Sequence, residues 1–246
     1  MRFMTMHKHS KATEAGELPS PEQMEQMGAY IAEKAESGEF LGGEGLGASA
    51  TRTRLVFRDG RCTIKRGPYT GAHELIASTM LIHVQTLEQA IGWAERYGKV
   101  LVDGELEIAP VTEEWDLGFM AKPDDAPLRV LMLVKADASA EAGQPRSAKQ
   151  KGDLTRLQTE MKKAGVLVSS EILKPSSDGK RLHFRDGTRR IFDGPFTESK
   201  ELIGGFSILE LSSIDVALAE CARFANILGG ELEVDVRPLY EPGEAP

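Results

Sequence analysis

The stretch DGPFTESKELIGG, residues 193–205, returns with changes as RGPYTGAHELIAS at residues 66–78, 127 residues upstream for both the Gly-Pro pair and the Glu-Leu-Ile that follows. A constant offset marks an internal repeat, and a repeat decides the fold before any local reading does. The same offset joins Arg2 to Arg129, Lys8 to Lys135, Glu14-Ala15-Gly16 to Glu141-Ala142-Gly143 and Glu44 to Glu171. It also joins Leu55, Phe57, Arg58, Asp59 and Gly60 to Leu182, Phe184, Arg185, Asp186 and Gly187. The chain reads as two diverged copies of a unit of roughly 110–120 residues, within the usual domain size. We place the first copy at residues 1–112, a linker rich in Pro and Asp at 113–128, and the second copy at 129–246. Toward the ends, ELEI at 105 matches ELEV at 231, a slip of register assigned to small loop insertions.

Each copy spells the same order of elements. RFMTMHK and RVLMLVK suit a first strand, and a helix follows. In the first copy Ser20 is placed to cap that helix, with Pro21 at its first position and Gln23 completing a capping box. Met24, Met27, Ile31 and Ala35 recur at helical spacing and define its expected core face; Leu154, Leu157, Met161 and Ala164 do so in the second copy. EFLGGEGL and VLVSSEIL follow as strands. Asp-Gly at 59–60 and 186–187 then closes a hairpin, because both residues tolerate positive φ. STMLIHV and FSILEL read as buried strands, Thr86 and Ser213 as caps of second helices, and ELEIAPV and ELEVDVRPL as closing strands. This is the split βαβ, ferredoxin-like order, with both helices on one sheet face. The bare face of one unit needs cover, and the second copy supplies it. The expected fold is α+β: two tandem ferredoxin-like units packed sheet to sheet as a pseudo-dimeric α+β barrel, with a chamber between the sheets.

With a formal charge of −8 and no basic cluster, the footprint of a phosphate-backbone binder is missing, so nucleic acid is not an expected partner. No apolar run approaches membrane-spanning length and no leader pattern opens the chain, so a cytoplasmic protein with no membrane partner is expected. Cys62 and Cys221 sit at unrelated positions of the two copies and read as free thiols. His7 and His9 flank Lys8, but Val134 and Ala136 answer them in the second copy and no third ligand presents itself, so no metal site and no cofactor are assigned.

DGPFTESKELIGGF, the upstream GEGL and the strand LMLVKAD together resemble the YCII-related superfamily, specifically its DGPF-domain branch. The resemblance spans both copies and departs from the pattern at Arg66 and Tyr69. It implies a ferredoxin-like unit that pairs as a dimeric α+β barrel, here within one chain. Some YCII-type members are thought to use a His-Asp pair with the histidine near the start of the first helix. SPEQMEQ and SAKQKGD hold none there, so that mechanism is not carried over. The resemblance also implies a regulatory association with a sigma factor as one option.

Polar residues retained at the same place in both copies are the candidates for a site. Lys8 and Lys135 end the first strands and Glu44 and Glu171 lie on the second, so Lys-Glu pairs at the mouth of the chamber are expected, either as rim salt bridges or as ligand contacts. His83 and Glu210 stand at equivalent points of apolar strands. Alternation sets His83 with Leu81 and Thr79, and Glu210 with Ile208 and Phe206, so an imidazole and a carboxylate are expected to share one pocket as catalytic groups. Asp193 is expected to start the Gly-Pro turn by accepting amide hydrogens, or to contact a ligand; Arg66 cannot accept them. The reading favoured by these residues is a small apolar or aromatic molecule held between the halves. A cofactor-independent lyase or isomerase using His83 or a carboxylate, and a structural or interaction module with a filled core, stand as alternatives.

Overall fold

A computed structural model describes residues 1–70, 75–185, 187–196 and 202–244. The first repeat runs through strand β1 (Arg2–Lys8), a short helix α1 (Lys11–Glu14), α2 (Pro21–Glu36), β2 (Phe40–Gly45), β3 (Thr53–Arg58), β4 (Arg61–Arg66), β5 (Ile76–Val84), α3 (Leu87–Leu101) and β6 (Gly104–Pro110). The second repeats it as β7 (Leu128–Lys135), α4 (Ala138–Glu141), α5 (Ala148–Lys163), β8 (Leu167–Ile172), β9 (Lys180–Arg185), β10 (Thr188–Asp193), β11 (Ile203–Glu210), α6 (Ile214–Leu228) and β12 (Leu232–Pro238). Local chemistry sets the boundaries. Ser20 Oγ accepts from Gln23 N while Gln23 Oε1 accepts from Ser20 N, the reciprocal cap that starts α2, and Ser147 with Gln150 does the same for α5. Thr86 and Ser213 cap α3 and α6. Asp59 and Gly60 take φ of 51° and 72°, the left-handed pair that turns β3 into β4. Asp186, Glu74 and Glu201 lie outside the described residues. The short α1 and α4 go beyond the pattern read from sequence.

Two six-stranded antiparallel sheets result, in the orders β10-β9-β12-β1-β11-β2 and β4-β3-β6-β7-β5-β8. Each is a ferredoxin-like sheet extended by a hairpin arm, and the two pack face to face. The sheets do not follow the repeats. Strand β1 pairs with β11 and β12 of the other repeat, and β7 pairs with β5 and β6. Each unit therefore joins the β-α-β segment of one repeat to the hairpin and final β-α-β of the other. The helices follow their strands: α2 packs on α6 over the first sheet, and α5 on α3 over the second.

Edge bonds close the sandwich toward a barrel. Leu46, just past β2, bridges to Val111, with Gly47 N donating to Pro110 O and Thr112 N to Gly45 O. Leu173 bridges to Leu239 in the same way, with Lys174 N donating to Pro238 O and Tyr240 N to Ile172 O. The C-terminal ends of β2 and β8, the last strands of their sheets, are thus tied to the facing sheet. The space between the sheets is filled. Met4, Met6, Leu81, Leu131, Leu133 and Ile208 form part of one contiguous buried cluster there, so the central chamber expected from sequence is packed by apolar side chains.

The two helical layers differ. Leu154, Leu157 and Met161 of α5 enter the core beneath the helices of the second sheet. On α2 the buried residues are Tyr30 and Lys34, while Ile31 is 40% exposed, so the expected face of Met24, Met27, Ile31 and Ala35 is rotated. The reason is ionic: Lys34 Nζ sits 2.9 Å from Glu220 and 2.8 Å from Glu39, and its long stem lies where Met161 lies in the other unit. The register of the last strands also differs from the ELE match. Arg54 faces Glu107 and Arg181 faces Asp235, so β6 and β12 correspond at an offset of 128. Among the described residues no helix is long and apolar enough to cross a membrane.

Candidate functional site

On β3, β6 and β7, side chains alternate between the helices and the facing sheet. Leu55, Leu106 and Val134 go to the helical core, which leaves Arg54, Glu107 and Lys135 on the sheet-facing side. Glu107 is fully buried and accepts from Arg52 Nη1 at 2.8 Å and from Arg54 Nη2 at 2.6 Å, with Lys135 Nζ 3.7 Å away. Burial alone would raise its pKa; Lys135, Arg52 and Arg54 outweigh that and hold it at about 2. The first sheet has a matching cluster. Asp235 accepts from Arg181 Nε at 2.5 Å and lies 3.1 Å from Lys8 Nζ. Against the effect of burial, Lys8 and Arg181 hold that carboxyl below the usual range. An aromatic ring covers each arginine: Tyr69 4.3 Å from Arg54, and Phe196 4.5 Å from Arg181.

A second arginine completes each corner, from a different place in the sequence. Arg52, in the first corner, donates to Gly47 O at 2.6 Å and to Ile203 O at 2.6 Å, with His9 Nε2 3.0 Å away. Its counterpart is Gly179, and there Arg237 reaches over from β12 to donate to Lys174 O, the counterpart of Gly47 O. A Cβ on Gly179 would stand 2.7 Å from Arg237 Cδ, so the glycine makes room for the relocated arginine.

The structure separates several residues that sequence reasoning joined. Lys8 and Glu44 do not meet, because β11 stands between β1 and β2, and β5 separates Lys135 from Glu171 likewise. Glu44 instead takes Arg129 Nη1 at 2.6 Å, and Glu171 takes Arg2 Nη1 at 2.8 Å. Both bonds cross from one sheet to the other. Arg129 also binds Glu113, and Arg2 binds Glu241. His83 is the cross-strand partner of Arg129 and Glu210 that of Arg2. They occupy opposite, pseudo-equivalent corners, and neither side chain makes a hydrogen bond or ion pair among the described residues. A pseudo-twofold axis brings equivalent residues together only near the axis, and these lie far from it.

The Gly-Pro turn is built without Asp193. Both Gly67-Pro68 and Gly194-Pro195 are cis. Phe196 N donates to Ser176 Oγ and Tyr69 N to Ser49 Oγ, and those serines in turn bond Glu141 and Glu14. A Cβ at Gly67 or Gly194 would lie 1.7 Å from Ser49 O or Ser176 O, which fixes glycine at both. The Asp193 side chain is 80% exposed and meets Lys180 at 2.5 Å across the hairpin arm, so the change to Arg66 leaves the turn intact. His7 and His9 do not converge on a third ligand: among the described residues, no group of three or more His, Cys, Asp or Glu is placed to hold a metal ion.

A cleft of about 230 Å³ opens at the end of the second sheet, between Lys135 and the segment leading into α5. Leu173, Tyr240 and Leu101 supply apolar wall, and Lys135 and Arg146 supply positive charge. Its two aspartates are engaged by backbone amides: Asp137 Oδ1 accepts from Ala140 N and Asp103 Oδ1 from Asp59 N. Arg146 forms no ion pair among the described residues. Both repeats build the cleft, which follows from the strand exchange. Of the residues proposed from sequence, Lys135 alone lines it. Arg146 has Pro19 as its counterpart, so a search for polarity shared by both copies passes over it. Arg2 and Arg129 were visible as a repeated pair, without a signal for their carboxylate partners.

The family model described as YCII-related domain matches residues 1–115 and again 128–239. An uncharacterised protein of Rhizobium meliloti (strain 1021) is 36% identical over 96 residues, which are 38% of this chain and 77% of that protein. No solved structure matches.

Proposed function

Starting from the premise that this chain belongs to the YCII-related domain family, whose model matches both repeats, we propose that it binds a small anionic molecule with an apolar body in the cleft beside Lys135. The observation that carries the reading is an open cleft of about 230 Å³ in which the Arg146 guanidinium forms no ion pair among the described residues, beside Lys135 and the apolar walls of Leu101, Leu173 and Tyr240. Such a lining favours a carboxylate or comparable anion at one end and hydrocarbon at the other. The volume of about 230 Å³ lies below the roughly 300–1,000 Å³ of drug-sized ligand sites and so limits the ligand to a compact one. The reading is one of binding. His83 is six residues along β5 from Ala77 at the cleft, about 20 Å at strand rise.

Calorimetric titration with benzoate, salicylate and hexanoate tests it. At least one of them is expected to bind saturably, with affinity falling tenfold or more in Arg146→Gln and in Lys135→Met. Arg146 makes no bond to Glu107 among the described residues; Lys135→Met also removes a cation 3.7 Å from Glu107, so its Tm is measured beside its affinity. Absence of saturable binding for all three anions, or equal affinity in both variants, overturns the proposal.

A further inference from the structure

One glutamine amide meets different surroundings in the two units. Gln23 and Gln150 hold the same place, third in α2 and third in α5. Each turns Oε1 back onto its cap: Gln23 accepts from Ser20 N at 2.8 Å, and Gln150 from Ser147 N at 3.2 Å and Ser147 Oγ at 2.9 Å. With the oxygen committed to the cap, the amide nitrogen is the end left to bond elsewhere. Gln23 Nε2 donates to the main-chain oxygen of Leu228, the last residue of α6. Gln150 Nε2 makes no hydrogen bond among the described residues.

The counterpart of Leu228 is Leu101, the last residue of α3, and Leu101 and Gln150 both border the cleft of about 230 Å³. The cleft therefore lies where the other unit is shut by the bond from Gln23 to Leu228. The two helix ends part at the next residue. After Leu228 comes Gly229 with φ 69° and ψ 177°, and after Leu101 comes Val102 with φ 73° and ψ −70°. Nearly equal φ with so different a ψ sends the chain off the two helices in different directions, and Asp103 and Gly104, which follow Val102, border the cleft.

The closed unit shows which group this amide takes up in such a setting: a carbonyl oxygen beside hydrocarbon, since the Leu228 side chain packs against the apolar core under α6. In the open unit the acceptor comes from outside the chain. Water serves while the cleft is empty. A ligand that brings only hydrocarbon to this point displaces the water and leaves the donor unpaired, the costly side of hydrogen bonding. A ligand that brings a carbonyl oxygen replaces the lost bond, and a site built around such a donor discriminates between the two.

We infer that Gln150 sets the specificity of this cleft, and that the ligand class is an oxo acid, a compact carboxylate with a carbonyl oxygen along its hydrocarbon body, in preference to a plain acid. The carboxylate goes to Arg146 and Lys135. The carbonyl goes to Gln150 Nε2, in the place that the main-chain oxygen of Leu228 takes in the other unit. The inference rests on the reading of the cleft as an anion site and adds to it a second polar contact.

Calorimetric titration of the full chain compares hexanoate with 2-oxohexanoate, 4-oxohexanoate and 5-oxohexanoate. At least one oxo acid is expected to bind about fivefold or more tightly than hexanoate. Gln150→Glu keeps the capping acceptor for Ser147 and removes the donor. Its added charge weakens every acid, so the ratio of oxo acid to hexanoate affinity is read, and that ratio is expected to fall to about one with Tm unchanged. Gln23→Glu, the same change in the closed unit, is expected to keep the ratio and to lower Tm, because it breaks the bond to Leu228. Equal affinity for hexanoate and all three oxo acids, a ratio kept in Gln150→Glu, or a ratio lost equally in Gln23→Glu overturns the inference; a loss of hexanoate affinity in Arg146→Gln then still upholds the cleft as an anion site. Absence of saturable binding for every acid overturns both.

Discussion

Replacing Glu107 by glutamine tests the ionic corner most directly. The carboxylate has no exposed surface and is held by Arg52 at 2.8 Å, Arg54 at 2.6 Å and, more loosely, Lys135. The amide keeps the shape but removes the charge, so Arg52, Arg54 and Lys135 lose the attraction of Glu107, while Arg54 keeps Glu105 at 3.1 Å. Removing one partner of a buried ion pair costs about 3–5 kcal/mol, a large share of the roughly 5–15 kcal/mol that holds a domain folded. For a chain of this size that corresponds to a fall in Tm of about 6–20 °C. Acid provides a second, independent check. The pKa of Glu107 falls from an ordinary 4.5 to about 2 on folding, so its stabilisation is complete above the unfolded value and is lost as pH drops toward 2. That shift is worth about 3 kcal/mol, of which about 2 kcal/mol is gone near pH 3. Urea unfolding followed by circular dichroism, on wild type and Glu107→Gln near pH 7 and near pH 3, should show the gap between the two proteins narrowing by about 2 kcal/mol in acid. A gap below about 1 kcal/mol at neutral pH, or one that does not change with pH, refutes the assignment of Glu107 as the charged centre of this corner.

Cutting the chain in the linker, after Gly118, should give two fragments that neither fold nor stay monomeric alone and that recover native circular dichroism only when mixed in equal amounts; independent folding of either fragment contradicts the strand exchange. Gly194→Ala should prevent folding or lower Tm by more than about 10 °C, because the new Cβ meets Ser176 O, whereas Asp193→Ala should cost under about 1 kcal/mol; thermal melts of the two variants decide. A thiol reagent should modify the exposed Cys62 in the native protein, while Cys221, whose burial pushes its pKa up to about 12, reacts only on unfolding; mass spectrometry of the labelled chain reads this out.

The repeat, the capped helices, the Asp59-Gly60 turn and the resemblance to the YCII-related family were all open to reading in the chain, because each rests on local chemistry or on a fixed spacing. Strand exchange was not. Two copies with the same alternation pair equally well with themselves or with each other, and periodicity is blind to which partner is chosen. The same blindness produced the Lys8-Glu44 pair: both residues are polar and repeated, but a third strand lies between theirs. The core face of α2 was misread because Tyr30 and Lys34 bury apolar bodies beneath polar tips, a property that a count of methionines and isoleucines does not register. Arg146 escaped because it occurs in one repeat only: Pro19 stands at its place in the other, so no shared polarity marks it.

The strand exchange has a consequence for how such a protein can change. In an assembly of two identical chains, every substitution is made twice, once on each side of the symmetry axis. Here the two halves interlock as partners would but are encoded separately, so a residue can be altered in one corner while the other keeps its own. Arg52 serving one corner and Arg237 the other, and a histidine standing at position 7 where valine stands at 134, are arrangements that no symmetric pair of identical subunits could hold.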